Sequence, residues 1–504
     1  MTYDKFSKHF LLGSLSVLLT FSACTNLETD EVDSIVIDGS GGTTAGNPTE
    51  ILAGTYSDLS AFTDQAGVYA LYEHTTDEMI PPTRGTDWGD NGVWRQLYQH
   101  TWDPTHTYVV NAWNQLNQRA YKCNQVLASN PSAQEAAEAK FLRAFFTWHV
   151  MDLYGKVPFR EVGEGVDVNP KVLKRAEAFA FVIKDLEEAL PNLPSPAPSS
   201  ENSKASKAAA YTMLARLYLN KAVYMAANPE GPYTFDNADM DKVIEYADQV
   251  AALGYGLEDQ YFVNFSTAAQ KEIIFTSPTG TPENRYRMTL HYNNNPDGWN
   301  GFATLADFYA TFEEDDIRRG IPAAPNGTQY SGLGRGFLVG QQYKDDGSII
   351  INARNSQPLA FTPEVPLSGA STEAGIRVIK YHPKDKGKYI FLRYADVYLM
   401  KVEALFRKGE TATALELMND LRTLRGASAL GSLTESDLLA ERGRELYWEG
   451  LRRADQIRFG TFNTTWQDKN NTESFRVLYP IPQQALDSNP NLKQNKGYPG
   501  YVGE

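Results

Sequence analysis

The sequence predicts a mainly all-α protein whose helices come in pairs on either side of a long loop-rich excursion. Apolar residues recur at helical spacing over about 50–255 and again over about 390–460. Between about 256 and 390 that period fades, and Gly, Pro, Asn and Thr become frequent. With 504 residues and 42% hydrophobic content, the chain is long enough to bury a large core.

The first 23 residues have the organisation of a secretory signal peptide. Lys5 and Lys8 precede an apolar run over 10–21, and two small residues lead into Cys24. The run is too short for a helix that spans a membrane. The tetrapeptide FSAC resembles the lipobox of bacterial lipoproteins, in which the cysteine is acylated and becomes the mature N-terminus. The alternatives are an ordinary signal peptide followed by an incidental cysteine, or a core helix.

Residues 24–48 are predicted to form a lipid anchor and a flexible tether. An acidic stretch, TNLETDEVDSI, is followed by the Gly-, Thr- and Ser-rich run DGSGGTTAGNP. Neither stretch can bury enough apolar surface to fold. The acidic residues also resemble the export signal of surface lipoproteins, and the alternative is a solvated tail without an address. Residues 49–504 are then expected to form a single domain.

The charge and the cysteine content argue against nucleic-acid binding and against cysteine chemistry. The chain has 47 basic and 62 acidic side chains, which argues against a nucleic-acid groove. Cys123 is the only cysteine besides Cys24, so no intramolecular disulfide is expected after processing. It follows Trp113 and Leu116 at helical spacing, which favours a buried core thiol over a nucleophile or metal ligand.

The helical segments are bounded by recognisable stop signals. The segment 135–155 carries an apolar stripe that includes His149 and ends at Gly155, ahead of Val157-Pro158. His149 is therefore expected to be a core histidine. Further helices are predicted over 176–194, 207–225 and 240–253.

Residues 393–426 have the length of one tetratricopeptide repeat. Ala404, Gly409 and Ala414 fall where that repeat places small residues, so that two antiparallel helices can touch. Ala215 and Tyr218 indicate an earlier, degenerate copy. The sequence therefore predicts tetratricopeptide-like helical hairpins, with the long excursion folded over them as the functional surface.

Five segments, taken in order, resemble one protein family. FLRYADVYLMKVEALFRKG, LLAERGRELYWEGLRRADQIRFGTF and LYPIPQQALDSNPNLKQNKGY resemble the C-terminal signature of the SusD/RagB family. FLRAFFTWHVMDLYGKVPF and NPDGWNGFATLADFYATFEEDDIRRG resemble two other family segments. The resemblance implies a helical lipoprotein of the outer membrane that is not an enzyme. Its repeat face would pack on a TonB-dependent, SusC-like transporter, and its loop-rich face would bind a glycan.

The glutamates of ERGRELYWEGLRRADQIR can also be interpreted directly. Glu441, Glu445 and Glu449 follow one another at intervals of four residues, with Arg442 and Arg444 on adjoining turns. Such spacing predicts a ladder of ion pairs along one helix, each worth about 0.2–0.5 kcal/mol when exposed. A glycoside hydrolase needs two carboxylates that face each other across a cleft of about 5–10 Å. Successive turns of one helix do not provide that arrangement, so the segment gives no support to catalysis.

The loop TTDEMIPPTRGTDWGDNG is the first candidate glycan site. Sugars present C–H faces that stack on aromatic rings, and hydroxyl groups that need carboxylate, amide or guanidinium partners. The loop supplies Asp77, Arg84, Asp87, Trp88 and Asn91 in a turn-rich stretch. Trp88 has no helical partners and little reason to be a core residue.

A second cluster, HYNNNPDGWNGF, places Tyr292 and Trp299 around asparagines in another loop. We therefore pair Trp88 with Trp299 as the expected stacking residues. Trp94 and Trp113 keep helical spacing and are expected to lie in the core, whereas Trp102 fits either environment.

These observations together predict a lipid-anchored, surface-exposed outer-membrane protein that captures glycans and delivers them to a TonB-dependent transporter. The alternatives are a tetratricopeptide scaffold that binds peptides or proteins, and an anchored glycoside hydrolase. We expect no cofactor, no bound metal with a catalytic role and no nucleic-acid partner. The Asp- and Asn-rich loops leave room for a structural calcium ion.

Overall fold

Long helices carry the fold, and they lie before residue 255 and after residue 390. The structure is a computed structural model that describes residues 46–279, 283–324, 332–385 and 387–503. The predicted signal peptide, Cys24 and the tether up to residue 45 lie outside the described residues. The α-helices are α1 (Pro48–Ser57), α2 (Gly67–Glu73), α3 (Val93–Tyr98), α4 (Thr107–Ala128), α5 (Ala133–Tyr154), α6 (Arg175–Ala189), α7 (Lys207–Leu219), α8 (Lys221–Met225), α9 (Asn237–Ala252), α10 (Asn284–Arg287), α11 (Ala306–Tyr309), α12 (Tyr394–Arg407), α13 (Thr411–Leu424), α14 (Glu435–Leu446), α15 (Arg452–Arg458) and α16 (Gln483–Ser488).

Helix α5 lies at the centre of the N-terminal half and packs against both α4 and α6. A capping box of Ser132 and Glu135 begins the helix, and Gly155 ends it in the left-handed region at φ 69°. Nearly every side chain from Phe141 to Tyr154 is buried. The helix therefore has partners on all sides, as an interior helix requires.

The second helical layer continues through α7, α9, α12 and α13, each packed against the next. Helices α12 and α13 form the predicted antiparallel pair within 393–426. Gly409 turns the chain between them at φ 84°, and Ala404 and Ala414 are fully buried where the two helices meet. The prediction of a mainly α-helical fold with tetratricopeptide-like hairpins is confirmed.

The excursion between these helical regions contains short strands in small separate sheets. The strands are β1 (Lys156–Phe159), β2 (Lys171–Lys174), β3 (Ile273–Thr276), β4 (Gly320–Ile321), β5 (Arg335–Leu338), β6 (Gly340–Gln341), β7 (Ile351–Asn352), β8 (Gln357–Pro358), β9 (Ala360–Phe361), β10 (Arg377–Ile379) and β11 (Ile390–Arg393). Strands β1 and β2 precede the excursion and pair with each other. Strand β5 pairs with β10 and β4 in a three-stranded sheet, and the remaining described strands form two-stranded pairs.

The core contains the residues whose helical spacing predicted it. Trp94, Trp113, Cys123 and His149 are all buried, and Trp102 joins them with its Nε1 donating to the Tyr498 hydroxyl at 2.8 Å. Burial raises the pKa of the Cys123 thiol, which keeps it protonated. Cys123 is therefore a packing residue.

The expectation that Glu441, Glu445 and Glu449 form one ion-pair ladder along a helix is wrong, apart from the pair of Glu441 with Arg444 at 2.6 Å. Glu441 and Glu445 are fully buried, and α14 ends at Leu446, before Glu449. The other ion pairs between successive turns do not form because Glu441 and Glu445 face the protein interior. There they pair with arginines from distant parts of the chain.

Glu445 receives guanidinium groups from Arg318, Arg393 and Arg425, at 3.2, 3.0 and 3.0 Å. Burial opposes ionisation of Glu445, but these three cations outweigh it and hold the pKa of Glu445 well below its usual range. The glutamate thus ties α14 to β11, to α13 and to the excursion. This set of contacts is structural.

None of the helices in the described part of the chain is both long and apolar enough to cross a membrane.

Candidate functional site

The loop after α2 is held in an unusual backbone conformation. Arg84 and Asp87 exchange backbone hydrogen bonds of 3.2 and 3.1 Å around a tight turn. Trp88, Asp90 and Asn91 then adopt positive φ angles of 62°, 36° and 54°. Non-glycine residues rarely occupy this region, and runs of them are found where a surface loop is fixed for function.

Arg84 fixes this loop to two other loops and is not available to a ligand. Its side chain is buried and donates to the backbone carbonyls of Asn300 at 2.9 Å, Ala374 at 2.8 Å and Ser371. Burial lowers the pKa of Arg84 to about 10. Arg84, predicted as a binding residue, is therefore a structural residue, because its Nε, Nη1 and Nη2 all donate to backbone carbonyls.

Trp88 and Trp299 lie together, as the pairing of the two loops predicted, but they bind each other. The Trp88 Nε1 donates to the Trp299 carbonyl at 2.8 Å, and the Trp88 ring lies 4.7 Å from the ring of Phe302. A Cβ at Gly301 would lie 2.6 Å from the Trp88 ring, so Trp88 packs directly on that glycine. Both tryptophans are half-buried against the core. One side of the Trp88 ring is thus used for packing.

Three polar side chains meet at the two candidate loops: Asp87, Tyr292 and Arg354, the last from the turn after β7. The Tyr292 hydroxyl donates to the Asp87 carboxylate, and Arg354 Nη2 pairs with the same carboxylate at 2.9 Å. The Arg354 guanidinium lies over the Tyr292 ring, 4.5 Å from its centroid. The Arg354 side chain is 51% exposed and that of Asp87 is 32% exposed. We call these three residues the loop triad.

The charges of the loop triad are fixed at neutral pH. The hydrogen bond from Tyr292, and then the Arg354 guanidinium, lower the pKa of Asp87 although its partial burial raises it. Burial and the Asp87 carboxylate raise the pKa of Tyr292. The triad therefore offers one carboxylate, one guanidinium and one neutral phenol to solvent. This combination can donate to and accept from neighbouring sugar hydroxyls.

Asp77 lies apart from the triad. Both of its carboxylate oxygens accept from the Arg452 guanidinium at 2.8 Å. It anchors the N-terminal end of the candidate loop to α15, because Arg452 begins that helix.

Arg354 was missed by sequence reasoning. It follows β7 in a stretch of polar residues with no motif, 267 positions after Asp87 in the chain. The turn at 352–356, where Ser356 has φ 59°, brings it beside Tyr292. Only the tertiary fold reveals this contact.

Within residues 46–279, 283–324, 332–385 and 387–503, no group of three or more His, Cys, Asp or Glu side chains is placed to hold a metal ion. The structural calcium ion considered above stays an untested expectation.

Two family models match the chain over most of its helical regions. Residues 379–498 match the SusD family, and residues 49–219 match a family described as starch-binding and associating with the outer membrane. The chain belongs to the SusD family. Both matched ranges cover helical regions, and the first includes three of the segments whose resemblance is noted above.

Known relatives agree with this assignment over the length of the chain. The starch-binding protein SusD of Bacteroides thetaiotaomicron is 26% identical over 477 residues, which cover 82% of each chain. A SusD-like protein of Bacteroides fragilis has the same fold, with a TM-score of 0.69, 20% identity and coverage of 90% of this chain and 96% of that one. The surface glycan-binding protein A of Bacteroides thetaiotaomicron in complex with laminarihexaose gives a TM-score of 0.63 at 18% identity, with coverage of 89% and 98%.

Proposed function

We propose that this SusD-like protein captures a glycan on its loop face, with the loop triad as the centre of the site. The observation that carries the proposal is the exposed Asp87–Arg354 pair beside the Tyr292 ring. A sugar ring presents adjacent hydroxyl groups that can donate to Asp87 and accept from Arg354 at the same time. Tyr292 and the exposed edges of Trp88 and Trp299 would supply the apolar contact.

The names of the relatives support a carbohydrate ligand. SusD of Bacteroides thetaiotaomicron is a starch-binding protein, and a solved relative is in complex with laminarihexaose. Both ligands are glucose polymers without charged groups. The loop triad balances one positive against one negative charge, which suits a ligand of that kind.

We further propose that Cys24 is acylated and that the protein acts at the outer membrane beside a TonB-dependent, SusC-like transporter. The lipobox-like FSAC and the acidic tether support the anchor. Each buried methylene contributes about 0.8 kcal/mol to membrane binding, so several acyl chains on one cysteine give a stable attachment. The tether would let the folded domain reach the transporter.

The proposal includes the absence of catalysis. The conspicuous carboxylates Glu441 and Glu445 are buried in ion pairs and cannot meet a substrate. Asp87 is exposed, but its bound partners hold it ionised, so it cannot act as a general acid.

Affinity electrophoresis of the purified protein in gels that contain amylopectin, laminarin and other plant and microbial glycans tests this function. We expect at least one neutral glycan to retard the protein, with no reducing ends released on prolonged incubation. Release of reducing ends by the pure protein would instead support the hydrolase. Retention on peptide ligands with no retardation by any glycan would support the scaffold alternative.

A further inference from the structure

A cavity of about 520 Å³ lies away from the loop triad, and its lining is rich in cations. It is formed where the end of α5, the beginning of α6, the segment after α8 and the C-terminal segment meet. Lys156, Lys174, Arg175 and Lys496 line it, against one acidic residue, Glu230. Such a concentration is unexpected in a chain whose net charge is −15.

Arg175 is buried in the cavity wall, and its guanidinium is only partly hydrogen-bonded. It is 9% exposed, and its described hydrogen bonding consists of one bond, from Nη1 to the Val223 carbonyl at 3.2 Å. Its Nε has no partner in the described part of the chain, and its guanidinium lies 5.1 Å from the centre of the Tyr224 ring. Asp152 is already bonded to Arg453 and to the Tyr224 hydroxyl.

Other buried arginines in the described ranges are better satisfied. Arg143, for example, binds Asp185 through two nitrogens at 2.7 Å. Arg84, which has no carboxylate, donates to three backbone carbonyls. Arg175 forms no ion pair with a carboxylate in the described ranges, although the charge of Asp152 acts on it, so its guanidinium is left with an unused capacity for an anion.

The surroundings of Arg175 add to this capacity. Arg175 and Ala176 are the first residues of α6, whose N-terminal amides and dipole favour negative charge. Lys174 takes part in none of the ion pairs of the described ranges, while its backbone N–H donates to Glu177 in the first turn of α6 at 2.8 Å. Glu230 is bonded to Ser474 and Lys496, so its charge is already neutralised.

The other walls of the cavity are largely apolar, although Asn228 and Asn495 also line it. Tyr224, Phe475, Leu478 and Tyr501 line it, and Tyr501 is 40% exposed at the surface. Aromatic and aliphatic walls suit the C–H faces of a sugar ring, whereas a bare inorganic anion would leave them unused. A volume of this size lies within the range of small-ligand pockets, which is roughly 300–1,000 Å³.

We propose that this cavity is a second binding site, which takes an acidic sugar of one or two units through its carboxylate. The carboxylate would pair with Arg175 and Lys174 at the beginning of α6, and the sugar ring would lie against Tyr224 and Tyr501. The site is separate from the loop triad and does not depend on the function proposed for it.

The proposal is tested by calorimetric titration of the purified full-length protein with digalacturonate at low ionic strength. Neutral galactobiose and inorganic sulfate serve as the comparison ligands. We expect digalacturonate to bind measurably more tightly than either. Equal binding of digalacturonate and sulfate, or of digalacturonate and galactobiose, would overturn the assignment of an acidic sugar.

Variants then locate the site. Lys171 and Lys174 are both exposed on β2, but Lys174 lines the cavity and Lys171 does not. Lys174→Glu should weaken digalacturonate binding about tenfold, and Lys171→Glu should leave it unchanged. Equal effects of the two substitutions would show that the general surface potential, and not the cavity, attracts the ligand.

Two further variants complete the test. Arg175→Gln should abolish binding, and a melting curve would show whether the variant is folded. Tyr292→Ala, in the loop triad, should leave digalacturonate binding unchanged. If Tyr292→Ala removes that binding, the acidic sugar occupies the loop face and the second site is wrong, whatever the outcome for neutral glycans.

Discussion

Trp88 combines an observed packing role with the recognition role that we propose for it. Its indole N–H is bound by the Trp299 carbonyl, and its ring rests on Gly301 and Phe302. Trp88 is only partly exposed, and it directly follows Asp87 of the loop triad in the chain. The sequence suggested a free stacking ring, because no helical neighbours surround Trp88, but long-range contacts to residues 299–302 supply the packing.

Trp88→Ala should therefore lower the free energy of unfolding by about 2 kcal/mol, since it empties a half-buried space. Trp113→Ala, which opens a cavity in the core, should cost about 3–5 kcal/mol. Urea denaturation of both variants measures the two values. A Trp88→Ala variant as stable as wild type would mean that the ring contributes nothing to the loop.

Glu73 and Glu78 form a second residue-scale feature, a pair of buried carboxylic acids. Glu73 accepts the backbone N–H of Gly450 at 2.9 Å, and Glu78 accepts the backbone N–H of Trp448 at 3.1 Å. Burial raises the pKa of both carboxyl groups. The charges of Lys380 and Arg285 lower the pKa of Glu73. The charges of Glu73 and Asp77 raise the pKa of Glu78, and that of Arg452 lowers it. The pKa of Glu73 rises to about 7.

Because the folded state holds these protons more tightly than the unfolded state, the pair should make the protein lose stability as pH rises from about 5 to 8. Glu78→Gln removes one of these protonation equilibria. The variant should therefore gain stability relative to wild type as pH rises from 5 to 8, because burial raises the pKa of Glu78 in the folded state. Urea denaturation at both pH values measures the difference. A constant difference between variant and wild type would show that Glu78 has an ordinary pKa.

At the scale of elements, α14 is held by the buried charge network around Glu445. Removal of a carboxylate that serves three arginines leaves buried cations without partners, which costs about 3–5 kcal/mol. Glu445→Gln should lower the free energy of unfolding by that amount. Glu435→Gln on the same helix is the matched control, since the Glu435 side chain is 65% exposed, and it should change stability by less than about 1 kcal/mol. Similar losses in the two variants, measured by urea denaturation, would contradict the network.

The helical elements were predictable because the residues that specify each helix lie close together in the sequence. Apolar spacing and Gly155 located α5, and small residues at 404, 409 and 414 located the α12–α13 pair. The partners of Glu445 were not predictable, since Arg318 and Arg393 are distant in sequence. The approach of the two candidate loops was predictable, since Trp88 contacts Trp299 and Asp87 contacts Tyr292. The burial of Arg84 and the position of Arg354 were not, because they depend on loops without a periodic sequence pattern.

At the scale of the whole molecule, we propose that membrane attachment and glycan capture belong to different parts of the chain. The candidate anchor, Cys24, precedes the described domain, and the loop triad lies on that domain. Cys24→Ser should release the protein from the membrane or leave its precursor unprocessed, because acylation requires the thiol. Fractionation of cells that express each form measures this. A mature Cys24→Ser protein that stays in the outer-membrane fraction would contradict the anchor.

The most direct test of glycan capture at the loop triad is the affinity of Arg354→Ala for the neutral glycan that retards the wild type. Arg354 is half exposed, so its removal should leave the fold intact while it deletes a charge-assisted hydrogen bond worth roughly 1.5–3 kcal/mol. We expect the dissociation constant to rise about ten- to a hundredfold. Lys184→Ala, a substitution of a 71% exposed cation on α6, should bind like wild type. If Arg354→Ala and Lys184→Ala both bind as wild type does, the glycan does not occupy the loop triad.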